Sequence, residues 1–396
     1  MTPLPRLRPM VSADLLYPKD AAYMARSDLH QTRLLGFQAL NIDAVTSLML
    51  GALNNLSTVR HFSCASDEIL SCLDDAGLQI NEDMHCYQTG TEAEAMADSL
   101  IEQGKRLFWP YPLREGRFAD SAHVVSPALW AQLNSKEQLI KLVPADALPR
   151  RRVLTCAQLG MDLPELPAYL KAAGVDATGW GYALRHVQTD DDIDAARSDF
   201  EKLGIDRILV EEAVDVAVCW CANLGVVDSG VTYLGAAEQT FAAPGKQSGS
   251  IIDPAVPFTA GGITLAIQVA EAAFRQGFRG ICGLDIGLLR DGRFVVFDPN
   301  FRINSSTPQV LLYDSAVARC GMEVSASFAV RSVRPMTEVT SIIAGPIADG
   351  WFVPTRLIDQ ALLPAAKGAN LLNGFVLAET RQVALSRVTK LANLLE

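Results

Sequence analysis

Gly280–Pro308 reads GICGLDIGLLRDGRFVVFDPNFRINSSTP. Asp285 stands near the end of an apolar run, and Arg290-Asp291-Gly292-Arg293 makes a charged turn. A second apolar run, Phe294–Phe297, then ends in Asp298-Pro299-Asn300. A turn bearing Asp and Gly between two β-prone runs predicts a hairpin. Its strands run antiparallel, so the residue entering the first lies near the residue leaving the second. Asp285 and Asp298 therefore come side by side, and Asn300 adds a neutral oxygen. Two carboxylates and an amide oxygen at one strand end suit Mg²⁺, which takes hard oxygen ligands and shares its shell with water and phosphate. Arg302 follows at once, where its planar fork can meet anionic oxygens. The plain alternative is a surface hairpin whose acids only solvate its ends. It fits less well, because the acids cap apolar strands beside Arg302, Asn304, Ser305 and Ser306 instead of occupying the turn.

With 396 residues the chain has room for two or three domains, or one large multilobed one. A hydrophobic content of 49% with 20% charged residues describes a soluble globular protein with a sizeable core. The formal net charge of −11 argues against a nucleic-acid partner, which demands a basic footprint. It leaves room for a nucleotide, which needs only a local basic pocket. The opening MTPLPRLRPMVSADLL lacks the apolar centre of a signal peptide. The apolar stretch Leu34–Leu56 is interrupted by Gln38, Asn41, Asp43, Asn54 and Asn55, which suits no bilayer span. A cytoplasmic protein without a membrane partner is expected. Eight cysteines show neither a C-x-x-C pair nor zinc spacing and read as reduced and mostly buried. Cys219 and Cys221 alternate with Trp220 in an apolar run, so both should share one face of a strand.

Residues 1–125 combine strand-like Val59–Phe62, Leu107–Tyr111 and Ala122–Val125 with helical patterns at Ala65–Ala76 and Glu92–Gln103. This alternation predicts a small open parallel α/β sheet. No GxGxxG occurs in it. After a helical pattern at Leu129–Leu142, Ala168–Val187 reads as strand, small loop and strand. Asp190–Leu203 is an amphipathic helix opened by three aspartates, which complement the helix dipole. Arg207–Glu211 and Val216–Leu224 read as strands, so this stretch makes a lobe of its own. Tyr233–Pro257 is turn-rich and poorly periodic, the pattern of a mobile loop over a site. Thr264–Gln276 is an apolar helix leading into the hairpin, and a last helical pattern covers Thr380–Leu395.

Lys171 closes an apolar strand and precedes Gly174, Thr178, Gly179 and Gly181. A lysine beside a small-residue loop can hold phosphate by charge while loop amides donate hydrogen bonds. A glycine turn with a solvent-facing lysine explains the same residues equally well, and no Walker loop is present. Glu211 and Glu212 end the strand Ile208–Val210 just before Ala213-Val214-Asp215. Acids there can accept from an adenine amine or ribose hydroxyls while connector backbone reads the base edge; two solvated strand-end acids are the plain alternative. Arg150-Arg151-Arg152 is a short basic cluster, read either as a docking patch or as a solvated linker.

The order of these parts resembles the ATP-grasp superfamily of carboxylate-activating ligases over roughly Ser126–Pro308, preceded by a region similar to the pre-ATP-grasp domain. The resemblance implies an α/β fold with an N-terminal open parallel domain (1–125). It implies an ATP-grasp domain (126–335) with a small α+β lid lobe at about 150–212 and a larger α+β lobe. A C-terminal extension (336–396) would pack on the core. It implies ATP and Mg²⁺ as cofactors, with Lys136 and Lys171 on the phosphates, and with Glu211, Glu212, Ala213, Val214 and Asp215 around base and ribose. Asp285, Asp298 and Asn300 would hold the metal, and Arg302 and Lys171 would act in catalysis. Two departures stand out: the second metal acid is more often Glu than Asp298, and an arginine common two positions before the first acid is here Gly283. The implied reaction joins a small carboxylate to an amine through an acylphosphate, releasing ADP and phosphate. A second reading passes the acyl group to a carrier-protein thiol, and a third is a nucleotide-binding module without catalysis. A homodimer is left open.

Overall fold

The computed structural model describes residues 5–25, 47, 51–53, 56–80, 82–112, 116–159, 165–174, 182–363 and 368–396. Among them three sheets form. The first is parallel, with β1 (Ala21–Met24), β2 (Ser57–His61), β3 (Asp83–Tyr87) and β4 (Arg106–Phe108) in the order β3-β2-β1-β4. It follows α1 (Ala13–Leu16) in the chain, and α2 (Asp67–Asp75) and α3 (Gly90–Glu102) connect its strands. Helix α3 starts on a capping box, Thr89 with Glu92, which satisfies amides that have no partner within the helix. Strand β1 carries no sequence periodicity, because all four of its residues are buried. The apolar stretch Leu34–Leu56 lies mostly outside the described residues. The expected strand at Ala122–Val125 is instead a 3₁₀ turn, Asp120–Ala122, with one bridge from Leu107 to His123. Too few residues remain before the N-cap Ser126 of α4 (Pro127–Asn134) to build a strand.

The second sheet is antiparallel and small. It comprises β5 (Arg151–Thr155), β6 (Ala168–Ala172), β7 (Leu184–Val187) and β8 (Arg207–Glu212) in the order β5-β8-β6-β7. Helix α6 (Asp190–Lys202) covers one face through Ile193, Ala196 and Phe200, which join Leu170, Ile208 and Val210 in one core; α5 (Cys156–Leu159) adds Leu159 to it. Asp190, Asp191 and Asp192 occupy the first turn of α6, as the sequence predicts, and Asp192 completes a capping box with Thr189. The other face, which carries Lys171, Leu209 and Glu211, is also buried and meets the third sheet where Lys171 approaches Phe297.

That third sheet has eight strands in the order β13-β12-β9-β10-β11-β14-β16-β15. They are β9 (Val216–Val227), β10 (Gly230–Ala243), β11 (Lys246–Ile252), β12 (Gly280–Leu289), β13 (Phe294–Asn300), β14 (Val324–Ser332), β15 (Phe352–Ile358) and β16 (Asn370–Ala378). Helix α7 (Ala260–Arg275) buries Leu265, Ala266, Val269, Ala270 and Ala273 against Trp220, Ala222, Leu224 and Ile286. Burial of this kind contributes about 25 cal/mol per Å² of apolar surface removed from water. Helix α8 (Thr307–Cys320) packs Val310 and Leu311 with Tyr23 of the first sheet and Leu234 of β10. Helices α9 (Met336–Ala348) and α10 (Arg381–Leu395) share a core with β14, β15 and β16 and with Ile69 and Leu73 of α2.

The mobile loop expected at Tyr233–Pro257 is corrected: β10 and β11 form a long hairpin there. Its residues are small or polar and alternate poorly. Pairing with β9 on one side and β14 on the other supplies what local propensity lacks. Pro244 and Gly245 make the tip, with Gly245 at φ +71°, and the tip abuts Leu184 of β7 so closely that a Cβ would overlap it.

Candidate functional site

The β12–β13 hairpin forms with Asp285 opposite Asp298 and Gly283 opposite Asn300. A bulge next to Asp285 leaves Phe297 as the extra residue on β13; such bulges re-aim neighbouring side chains. Phe297 packs over Gly287, where a Cβ would overlap its ring. The Asp298 carboxylate meets the ammonium of Lys136, a buried lysine just past α4. Asp285 accepts a hydrogen bond from Gln239 Nε2 at 3.0 Å, and Gln239 in turn accepts one from the Cys219 thiol at 3.1 Å. Burial, then the charge of Asp298, push the Asp285 carboxyl up to about 6, against the pull of Gln239, Cys221 and Lys136. Burial and the Asp285 charge also hold the Cys219 and Cys221 thiols well above their ordinary value, so both stay protonated.

Asn300 Oδ1 accepts from Arg302 Nη2 at 2.7 Å, and the Arg302 guanidinium lies 4.8 Å from the ring centre of Tyr111. Among the described residues no group of three or more His, Cys, Asp or Glu side chains gathers as a metal centre. The donors on hand are two carboxylates and one amide oxygen. They fit a hard divalent cation: the set is all oxygen, the flanking thiols are neutral, and the mutual repulsion that raises Asp285 is what a cation relieves.

Gly283 stands where the resemblance leads one to expect an arginine. A Cβ there would come within 2.1 Å of Asn304 Nδ2. Asn304 belongs to a buried network: its Nδ2 donates to Asn223 Oδ1 at 3.1 Å, and its Oδ1 accepts from the Ser306 hydroxyl at 2.7 Å. Thr307 also donates to Asn223 Oδ1, at 2.8 Å. This neutral network fills the space a longer side chain would need.

A second cluster lies on the face of the small sheet opposite α6. Lys171 Nζ and Arg151 Nη2 each reach one oxygen of Glu211 at 2.5 Å. Glu211 is 1% exposed. Tyr169 and Arg151 flank Glu211 in register on β6 and β5, so the three side chains share that face. Glu212 points elsewhere and takes the Arg150 backbone amide at 2.8 Å and its Nε at 2.7 Å. Burial works against its ionisation, but those hydrogen bonds outweigh it and lower its pKa. Ala213 donates its amide to Pro167 O at 3.1 Å, and Val214 continues the half-buried connector to β9. Asp215 is exposed and pairs with Arg290 of the hairpin turn at 3.1 Å.

Seven of the residues singled out in the sequence thus fall into two clusters: Lys136, Asp285, Asp298, Asn300 and Arg302 in one, Lys171 and Glu211 in the other. Phe297 stands between them, its ring centre 5.9 Å from Lys171 Nζ. Glu212 and Asp215 turn to other partners, and Gly179 and Gly181 lie outside the described residues. Sequence reasoning missed Gln239, hidden in the supposed loop, and Tyr111. It also misplaced Arg151, grouped with Arg150 and Arg152 although alternation along a strand turns it to the opposite side from Arg152.

A small sheet presenting cations, set over a larger sheet presenting paired acids, defines an ATP-dependent ligase that activates carboxylates. The chain belongs to the ATP-grasp superfamily, as an ADP-forming carboxylate–amine ligase. Residues 12–131 match the family described as L-aspartate--L-methionine ligase N-terminal domain. Residues 149–300 match L-aspartate--L-methionine ligase, ATP grasp. Among solved structures, an ADP complex of an N5-carboxyaminoimidazole ribonucleotide synthetase is similar with a TM-score of 0.57 at 11% identity, over 99% of this chain and 98% of that one. A biotin carboxylase β,γ-ATP complex from Campylobacter jejuni gives 0.56 at 12% identity over 94% and 90%. An L-amino acid ligase from Bacillus licheniformis gives 0.52 at 11% identity over 95% and 97%. At these identities the likeness is one of fold.

Proposed function

We propose that the chain joins L-aspartate, as the activated acid, to the amine of L-methionine. The observation that carries the site assignment is the acid pair Asp285 and Asp298 on the hairpin, with the cation-bearing lid face meeting it at Phe297. The substrates follow from the two family descriptions. Lys171 and Lys136 bind the phosphates of ATP. Glu211 accepts from the base, and the Glu212–Val214 backbone reads its edge, with Asp215 nearest the ribose side. Asp285, Asp298 and Asn300 hold Mg²⁺, and Arg302 stabilises charge on the transferring phosphoryl group. Lys136 pairs with Asp298 in the structure, and a cation held by Asp298 would take over that charge. Magnesium supplies charge neutralisation of the terminal phosphates.

A carboxylate is a poor electrophile because it has no good leaving group. Its oxygen attacks the γ-phosphorus, the bond to the β-phosphate oxygen breaks, and ADP leaves. The amine then attacks the carbonyl carbon, phosphate departs, and the nitrogen loses a proton. The 150–212 lobe, closed over the rest of the 126–335 domain, keeps water from the acylphosphate. Among the described residues no helix is long and apolar enough to cross a membrane, and a cytoplasmic setting matches the supply of ATP and free amino acids. With Arg151 buried, the basic run that favoured a carrier-protein partner shrinks to Arg150 and Arg152.

The test is product analysis. ADP and phosphate should form only when L-aspartate and Mg²⁺ are present, and hydroxylamine should trap the intermediate as a hydroxamate. AMP as the nucleotide product would reject the mechanism. Turnover with other amino acids but not with aspartate and methionine would reject the substrates.

A further inference from the structure

We propose that Arg151 is an anion-binding residue of the nucleotide site, donating hydrogen bonds to phosphate oxygens of the bound nucleotide; this rests on the nucleotide reading of the lid face. Three observations point there. The Arg151 side chain is only 7% exposed, yet it spends one nitrogen, Nη2, on Glu211. Its Nε and Nη1 are buried and have no hydrogen-bond partner among the described residues. Each such orphaned donor carries its full desolvation penalty, larger in a charged group, so a purely structural brace would be a costly one. Glu211 already has a brace in Lys171.

Charge gives the second argument. Lys171 and Arg151 are both buried beside one carboxylate, which leaves one positive charge in excess on the lid face. Burying an uncompensated charge costs several kcal/mol. An anionic oxygen offsets it far better than a neutral ring nitrogen, because charge-assisted hydrogen bonds are the stronger ones.

Placement gives the third. Arg151 lies in register with Glu211 and, across β8, with Tyr169, on the face opposite the α6 core. Lys171, two residues beyond Tyr169, carries that face to Phe297 and the acid pair. The ligand Arg151 awaits therefore enters the same cleft.

The experiment titrates ADP and adenosine separately into the full chain by calorimetry, without amino acids, for wild type, Arg151→Gln and Arg151→Lys. Arg151→Gln should weaken ADP by about tenfold or more and leave adenosine within about twofold. Arg151→Lys, which keeps the charge, should recover part of the loss. Equal weakening of ADP and adenosine would overturn the proposal and make Arg151 a brace for Glu211. Unchanged ADP affinity would also overturn it. Thermal unfolding without ligand checks the fold; should Arg151→Gln fail to fold, a lysine variant that binds ADP like wild type would reject specific donation by the guanidinium. Wild type that binds neither compound would instead sink the nucleotide reading itself.

Discussion

The two clusters crowd opposite kinds of charge: paired acids in one, paired cations in the other. On the β12–β13 hairpin, two carboxylates share one lysine, Lys136. On the lid face of the small sheet, two cations, Lys171 and Arg151, share one carboxylate, Glu211. Counting Arg302, the hairpin cluster is balanced but sets two acids side by side, whereas the lid cluster carries one positive charge in excess. Neither is content alone: burial, then the charge of Asp298, lifts Asp285 to about 6, and Arg151 keeps two buried donors unmet. A metal–nucleotide complex carries both complements in one ligand, a cation bound to a polyanion. The lesson is that each half of the cleft is held at some cost in folding stability, a cost that the proposed ligand would relieve in both halves together.

The comparison breaks hardest at Asp298. Asp298→Asn removes a ligand charge with little change of shape, so Mg²⁺-dependent turnover should be abolished while nucleotide affinity measured without metal stays near wild type. ADP formation near the wild-type rate would show that the acid-rich half does not hold the metal. Lys171→Ala tests the opposite half. Nucleotide affinity or phosphoryl transfer should fall by about tenfold or more, the scale of a charge-assisted contact of about 1.5–3 kcal/mol. Unchanged calorimetric affinity together with normal turnover would move the phosphates off the lid face.

The smallest effect sharpens the contrast through pH. The Asp285 carboxyl titrates at about 6 in the folded chain against an ordinary 3.8. A group raised on folding takes up its proton earlier in the native state, so as pH falls from 7 to 5 the folded protein gains stability from it. With metal chelated, wild type should gain about 1 kcal/mol over that range relative to Asp285→Asn, as linkage gives for one group. Denaturant unfolding at both pH values measures it. A difference that stays flat, or that runs the other way, would mean Asp285 is not under the strain described.

These halves were not equally legible in the sequence. The hairpin is local: turn residues, apolar runs and acids lie within one stretch, so pairing Asp285 with Asp298 needs only strand geometry. Lys136 has no local signature, since its partner comes from β13, far along the chain, and only the resemblance singled it out. Arg151 reads as one of three consecutive arginines until strand alternation separates it from Arg152. The β10–β11 hairpin stayed hidden for another reason. Its strands are held by neighbours from distant parts of the chain, so Gln239, which steadies Asp285, lay in what reads as a loop. Gly283 is a departure that sequence can report but not explain; the reason is Asn304, already standing in that space.

Tyr111 carries a consequence of its own. It follows β4, in the parallel sheet near the start of the chain, yet its ring lies against the guanidinium of Arg302. Asn304 occupies the room beside Gly283, and the Arg302 guanidinium, tied to Asn300, lies against an aromatic ring from the segment after β4. Such a contact is worth about 0.5–2 kcal/mol, enough to set a rotamer. On the proposed site, a fragment cut to the lid and the large sheet would keep the acids and lysines of the cleft and lose the Tyr111 contact of Arg302, so the opening region reaches into the cleft it precedes.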